Sequence, residues 1–360
     1  MSDFAHRLIA WHREHGRHDL PWQGGVDPYR IWLSEIMLQQ TQVDTVIPYY
    51  RRFLARFPDL AALAAAPVEE VMALWSGLGY YARARNLHRA AQVIVAEHGG
   101  RFPRGAAQIA TLPGVGRSTA AAIAAFAFGE RAAILDGNVK RVLCRAFGVD
   151  GFPGSKPVED ALWALADSLL PQVEVGIYIQ AQMDLGATLC TRGKPACERC
   201  PLAADCVALR TGRAAELPTP RPKKTVPRRS VSLAVVVLGD TVLLERRPPA
   251  GIWGGLLTLP EMPAEAATDA AGASRWAQDA LGIACEAVEE LAPMKHAFTH
   301  FLLEIRPLRL QAGGTAAAAR EDGRLWQSLA GLDAAALPTP VRRILQGLTS
   351  AARAGAGIAG

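Results

Sequence analysis

The chain has 360 residues, half of them hydrophobic, with 39 Lys and Arg against 34 Asp and Glu, a net charge of +5. That length exceeds what one core usually fills, so two domains are expected, and the apolar content excludes wholesale disorder. No run of about 18 uncharged apolar residues marks a membrane span, and the N-terminus lacks a signal peptide's apolar stretch. A cytoplasmic location is expected, where thiols stay reduced and clustered cysteines bind metal more often than they pair.

Residues 1–213 read as helices. "PYRIWLSEIMLQQTQVDTVIPYYRRFLARF" sets Ile31, Ile36, Met37, Val43, Val46 and Ile47 at helical spacing. Pro48 either kinks that run or sits in the first turn of a second helix. "PVEEVMALWSGLGYYARARNLHRAAQVIVAEHGG" reads as two helices around a Gly77/Gly79 turn, the second stopping at Gly99-Gly100. "STAAAIAAFAFG", "PVEDALWALADSLLP" and "EVGIYIQAQMDLGATLC" add three more. "ELPTPRPKKTVPRRS" changes the character, and residues 214–230 are expected to be a basic, Pro-rich linker. Beyond it "SVSLAVVVLGDTVLLERR" is a hairpin turning at Gly239-Asp240, "KHAFTHFLLEIRPLRL" is strand-like, and a helix falls near 269–282. The second domain, 231–348, is thus α+β, and 349–360 reads as a small-residue tail. Residues 1–229 carry 28 Lys and Arg against 21 acids, and residues 230–360 carry 11 against 13. The first part is therefore the better polyanion binder.

Four motifs carry chemistry. In "LPGVGRSTA", Gly114, Val115 and Gly116 form a tight turn opening a helix near Arg117, where free N–H groups and the helix dipole attract phosphate. An ordinary helix–helix turn would look the same. In "ILDGNVKRVL", Asp136 and Asn138 sit in a polar break, and a simple cap of the next helix by either would look the same. In "WLSEIMLQQTQ", Glu35 lies in an apolar stretch, where burial would raise its pKa toward that of a general acid. The amides and hydroxyl of Gln39, Gln40, Thr41 and Gln42 suit base edges or backbone. Lastly, Cys190, Cys197, Cys200 and Cys206 are spaced x6, x2, x5, unlike a zinc ribbon. Four cysteines without histidine suit an iron–sulfur cluster or zinc, and composition does not choose between them. Cys144 and Cys285 stand apart as buried small hydrophobes.

Together these motifs resemble the helix-hairpin-helix DNA glycosylases that carry an iron–sulfur cluster. The resemblance implies that "LPGVG" grips phosphate, that the aspartate twenty residues past Gly116 is catalytic, and that the four cysteines hold a [4Fe–4S] cluster. Arg192, Lys194 and Arg199 would then meet DNA phosphates from the cluster loop. The endonuclease III branch has a lysine after the hairpin glycines that attacks the sugar as a Schiff-base nucleophile. Here that position is Ser118, which cannot do so. With "SEIMLQQTQV", "GLGYYARARNL" and "ILDGNVKRV", this looks like the MutY-type adenine DNA glycosylases, over residues 5 to 210. "LLERRPPAGIWGGLLTLPE" is similar to the start of a Nudix-type domain without the Glu-rich metal helix, so a reader of 8-oxoguanine is implied rather than a hydrolase. Phe298, Thr299 and His300 fall at that family's contact loop, with threonine where serine is more usual.

The resemblance implies a monofunctional glycosylase that flips adenine out opposite 8-oxoguanine or guanine in duplex DNA. Glu35 would protonate N7, Asp136 would stabilise the cationic sugar, and Asn138 would position Asp136. Leu38, Gln39, Gln40 and Thr41 would approach the mispair, Tyr80 would wedge beside the 8-oxoguanine, and Trp22 is a candidate for binding DNA or substrate, with a plain core role for "LPW" as the alternative. Gly114 to Ser118 and Lys140 would hold phosphates. A monomer is expected, with repair or replication proteins such as a sliding clamp as candidate partners. The competing readings are an endonuclease III-type glycosylase/lyase and a non-enzymatic iron–sulfur DNA-binding protein.

Overall fold

A computed structural model describes residues 3–222, 225–248, 251–267, 269–298, 300–313 and 323–356. Backbone contacts divide the chain into two units, residues 1–65 with 86–223, and residues 66–85 with 224–360.

The helices, in chain order, are α1 (Asp3–His15), α2 (Pro28–Leu38), α3 (Val43–Arg56), α4 (Leu60–Ala65), α5 (Val68–Trp75), α6 (Ala82–Glu97), α7 (Ala106–Ile109), α8 (Arg117–Phe128), α9 (Gly137–Phe147), α10 (Lys156–Leu169), α11 (Val175–Thr188) and α12 (Val207–Arg210). All but α5 and the first turn of α6 belong to the first unit. Its main core buries Leu8 and Ile9 of α1 against Val139, Val142 and Leu143 of α9, Leu162 of α10, and Tyr178, Ile179 and Leu185 of α11. Burial of each such side chain contributes about 1.5–3 kcal/mol. A polar tie runs through this core. Asp184, wholly buried, accepts from the Arg17 N–H at 2.8 Å and from Arg17 Nε at 2.8 Å. His12 Nε2 lies 3.3 Å away, near enough to pair but poorly aligned for a hydrogen bond. Burial pushes the Asp184 carboxyl up, and the His12 and Arg17 contacts outweigh it and hold it below its ordinary value.

The apolar run 28–57 breaks at Gln39–Gln42, where Gln40 takes a left-handed φ of 59°. Pro48 neither breaks α3 nor starts it. It lies inside the helix on the exposed side, where the carbonyl it leaves unpaired can turn to water.

In the second unit, β1 (Arg228–Leu238) and β2 (Thr241–Arg246) form the hairpin, with Leu238 opposite Thr241 and Gly239 at φ +57°. Two residues with such a glycine make the turn whose twist matches the strands. β3 (Leu257–Thr258), β4 (Glu261–Met262), α13 (Ala270–Trp276), β5 (Cys285–Glu290), β6 (Met294–Ala297), β7 (Leu302–Ala312), β8 (Arg324–Ser328) and α14 (Thr339–Ala356) follow. β1 and β7 pair in parallel at the centre of a mixed eight-stranded sheet. Its core gathers Val236, Leu243 and Leu310 from the strands with Ala273 and Ala277 from the helical side. Two edges differ from the sequence reading. β1 begins at Arg228, inside the stretch read as linker. α14 continues to Ala356, through most of the stretch read as a tail, because "SAARAGA" is largely strong helix formers.

Candidate active site

One cavity of about 870 Å³ in the first unit collects Trp22, Glu35, Leu38, Gln39, Thr41, Ser118, Asp136 and Asn138. Four elements bring them together. Glu35 lies one turn before the end of α2, Asp136 is the N-cap of α9, Ser118 opens α8, and Trp22 comes from the loop after α1.

Asp136 is fixed by its capping role. Its Oδ1 accepts the Val139 N–H at 2.7 Å, and Asn138 Nδ2 lies 3.4 Å from Oδ2. The loop before it is held by Ser118, whose Oγ accepts the Leu135 N–H at 2.9 Å. The hairpin serves this placement. Gly114 sits at φ +78°, and a Cβ there would lie 2.6 Å from the Cβ of Asn86, so glycine is required twice over. Val115 is buried and Gly116 caps α8 with extended backbone.

The two carboxyls sit in unlike surroundings. Glu35 is only half-buried because cavities reach it, yet protein packs densely round it. Burial, and then the charge of Asp136, push its carboxyl up to about 8. Burial raises Asp136 too, and the Val139 N–H, the Arg141 charge and Asn138 offset it only in part. Both carboxyls thus lie above their ordinary values, and of the two Asp136 has the N–H donor and nearby cation that favour an ionised form.

Arg141 is the residue that motif reading missed. Its guanidinium bonds the Oδ1 of Asn138 at 2.7 Å, the Gly186 carbonyl at 2.6 Å and the Cys190 carbonyl at 2.6 Å. Gly186 makes this possible, since a Cβ there would fall 2.6 Å from the Cβ of Asn138. Arg17, Gln180, Met183, Thr191 and Arg192 also line the cavity. Their signal was weak, because each lies in an otherwise ordinary helix or loop. Lys140 does not line it. One helical step, about 100°, separates it from Arg141, and it turns to Glu159, 2.6 Å away. Gln40 is exposed and also off the cavity wall.

Cys190, Cys197, Cys200 and Cys206 surround a separate small apolar cavity of about 30 Å³ and form no disulfide. Among the described residues no three Cys, His, Asp or Glu side chains close on a point that would hold a single metal ion. Arg145, 3% exposed, donates to Cys190 Sγ at 3.4 Å, to the Thr191 carbonyl at 2.7 Å and to the Leu217 carbonyl at 2.7 Å. A buried cation with no carboxylate among these partners, beside four thiols, fits a group of thiolates carrying negative charge.

In the second unit, Phe298 stacks on buried Phe301 at 4.5 Å and its N–H donates to the Phe301 carbonyl at 2.9 Å. His300 is exposed beside them, its ring 4.8 Å from Phe301. Trp253 and His296 extend the aromatic group. Thr299 lies outside the described residues. Tyr80 is 53% exposed at φ +48°, with the Arg83 guanidinium 5.5 Å from its ring.

A glycine hairpin at a helix start, with a capping aspartate one helix later and a glutamate on the wall of the same cavity, is the arrangement of a helix-hairpin-helix DNA glycosylase. The model of the HhH-GPD superfamily base excision DNA repair proteins matches residues 33–168, and a NUDIX domain model matches residues 232–347. A thermostable thymine-DNA glycosylase of known structure is 32% identical, with a TM-score of 0.53, covering 58% of this chain and 95% of that one. The adenine DNA glycosylase of Buchnera aphidicola subsp. Acyrthosiphon pisum is 35% identical over 95% of this chain and 97% of its own length. That of Homo sapiens is 34% identical over 96% of this chain and 74% of its own length. The chain belongs to the adenine DNA glycosylases of base-excision repair.

Proposed function

We propose that the chain removes adenine paired with 8-oxoguanine or guanine in duplex DNA, with the 870 Å³ cavity receiving the flipped nucleotide. The observation that carries this is that Glu35 and Asp136 line one cavity, the first from an apolar helix and the second as a helix cap held by the Val139 N–H. Glu35 gives its proton to adenine N7 while the C1′–N9 bond breaks and its electron pair passes to the base. Asp136, ionised at the N-terminus of α9, stabilises the cationic sugar. Water then bonds C1′ and yields a proton to a carboxylate, so the products are neutral adenine and an abasic site. Asn138 orients Asp136 and Arg141 orients Asn138. Ser118 carries no amine, so no Schiff base forms there and the strand stays intact.

Arg141 and Arg192 bring positive charge to the cavity wall, that of Arg17 being paired with buried Asp184, and the hairpin offers N–H groups to the flanking phosphates. Gln39 and Thr41 approach the unpaired partner base, while Phe298, Thr299, His300 and Tyr80 are assigned to 8-oxoguanine. The four cysteines would hold a [4Fe–4S] cluster, which ties together a loop with little secondary structure of its own. The exposed Lys194 and Arg199 on that loop face phosphate.

The test is single-turnover cleavage of a duplex holding one A:8-oxoguanine pair, followed with and without alkali. Strand breaks that need alkali are expected. Breaks without alkali would place the chain with the lyases, and no adenine release would remove the catalytic reading. Asp136→Asn should lose turnover yet still retain the mispaired duplex in a gel shift, whereas a pure DNA binder has no turnover to lose.

A further inference from the structure

Behind Glu35 lies a second cavity, of about 340 Å³. It shares three wall residues with the first, Trp22, Glu35 and Gln180. Its other walls are Ile31, Phe126 and Ile177, with His18, Gln23 and Ser34 as polar groups. Gly24, Gly25 and His18, all exposed, stand on its rim. Glu35 is thus a partition between a front cavity and a rear one that reaches solvent on its own. Nothing in the proposed cleavage uses the rear one.

A base-excision product poses a problem that this arrangement answers. While the abasic duplex remains seated, DNA covers the front opening through which the nucleotide entered. The freed base is planar and uncharged. A wall combining flat apolar faces with a few hydrogen-bonding side chains suits such a molecule, and the rear volume lies within the roughly 300–1,000 Å³ of small-molecule sites. Three glycines, 24, 25 and 176, keep its walls thin.

We infer that the rear cavity takes up the excised purine past Glu35 and releases it at the Gly24–Gly25 rim while the abasic DNA is still bound. This rests on the front cavity being the excision site. Gln180 and Trp22 flank the passage; beyond it Gln23 is held by the Leu20 N–H and the Arg17 carbonyl, and His18 pairs with the His12 carbonyl, so each offers only its remaining polar sites to a passing base. The ligand class is a neutral purine base.

The experiment follows radiolabelled adenine by rapid filtration and the duplex by fluorescence in the same single turnover of the full chain. Alkali-labile sites are scored in parallel. In the wild type, adenine should appear in the filtrate at least tenfold faster than the abasic duplex dissociates. Gly25→Leu and Ile177→Phe narrow the rear cavity from two different walls. Each should form alkali-labile sites at the wild-type rate yet release adenine only as the DNA leaves. Wild-type adenine that leaves only with the DNA overturns the proposal, and so does wild-type-like release from a folded plugged variant. If a plugged variant fails to fold, the other variant and the wild-type comparison still decide. An absence of alkali-labile sites in the wild type would instead mean that the excision reading itself is wrong.

Discussion

Glu35→Gln separates catalysis from stability in a way the structure makes quantitative. The folded carboxyl keeps its proton up to about pH 8, whereas an unfolded glutamate loses it near the ordinary value of 4.5. Between those values the folded state binds more protons than the unfolded one, so stability falls as pH rises. This contribution is fully present below about pH 4.5, is lost across the window from 4.5 to 8, and is flat above. At pH 7 the loss is about 3 kcal/mol, from 1.36 kcal/mol per pH unit. Glutamine does not titrate and fits the same space, so it escapes this penalty. Glu35→Gln should therefore melt with the wild type near pH 4.5 and above it at pH 7. For a unit of this size, 3 kcal/mol corresponds to roughly 6–12 °C in Tm. Excision should fall by about 10²–10⁴-fold, the usual contribution of a general acid. The wild-type single-turnover rate should decline as pH rises through about 8, where Glu35 gives up its proton. Thermal melts at pH 5 and pH 8 with parallel excision assays check all of this. A melting difference that does not widen between those two pH values would refute the argument that Glu35 is held protonated by burial.

Other substitutions test the parts around it. Gly114→Ala places a Cβ against Asn86 at a left-handed backbone position. It should destabilise by about 1–3 kcal/mol and weaken duplex binding in a salt titration. Ser118→Ala deprives the Leu135 N–H of its acceptor and should cost about 1 kcal/mol in denaturant melts. It should also slow excision without abolishing it, because Asp136 itself is untouched.

The two carboxyls were legible because each sits in a short local motif, and the structure brings both to one cavity. Glu35 stood out as an acid in an apolar helix, and Asp136 as a cap. What sequence could not supply was pairing across distance. Arg141 acts on Cys190, 49 residues on, and nothing in "NVKRV" distinguishes it from Lys140. The family resemblance assigned Lys140 to phosphate, and in the structure its ammonium lies 2.6 Å from Glu159. The apolar pattern also ran α2 into α3, since hydrophobic spacing carries through Gln39–Gln42 while the backbone there does not. The rear cavity has no sequence signal, being the space left where a loop, α2, α8 and α11 fail to fill a volume.

Arg141 also explains why a loop rich in cysteine should matter to a carboxylate on another helix. The chain of contacts runs from the Cys190 carbonyl to the Arg141 guanidinium, to Asn138 Oδ1, and from Asn138 Nδ2 to Asp136. The first two links are 2.6 and 2.7 Å and the last is 3.4 Å, and the guanidinium charge is one of the groups that lower the Asp136 pKa. Arg141→Ala removes charge-assisted bonds worth roughly 1.5–3 kcal/mol each. It also lets the Asp136 carboxyl rise. Because the proposed cleavage needs Asp136 ionised, the acid limb of the excision profile should move to higher pH in this variant, while the alkaline limb set by Glu35 stays near 8. A purely structural role would lower the rate at every pH and leave both limbs in place. A pH–rate profile of Arg141→Ala on one mispaired duplex therefore distinguishes a positioning charge from a mere brace.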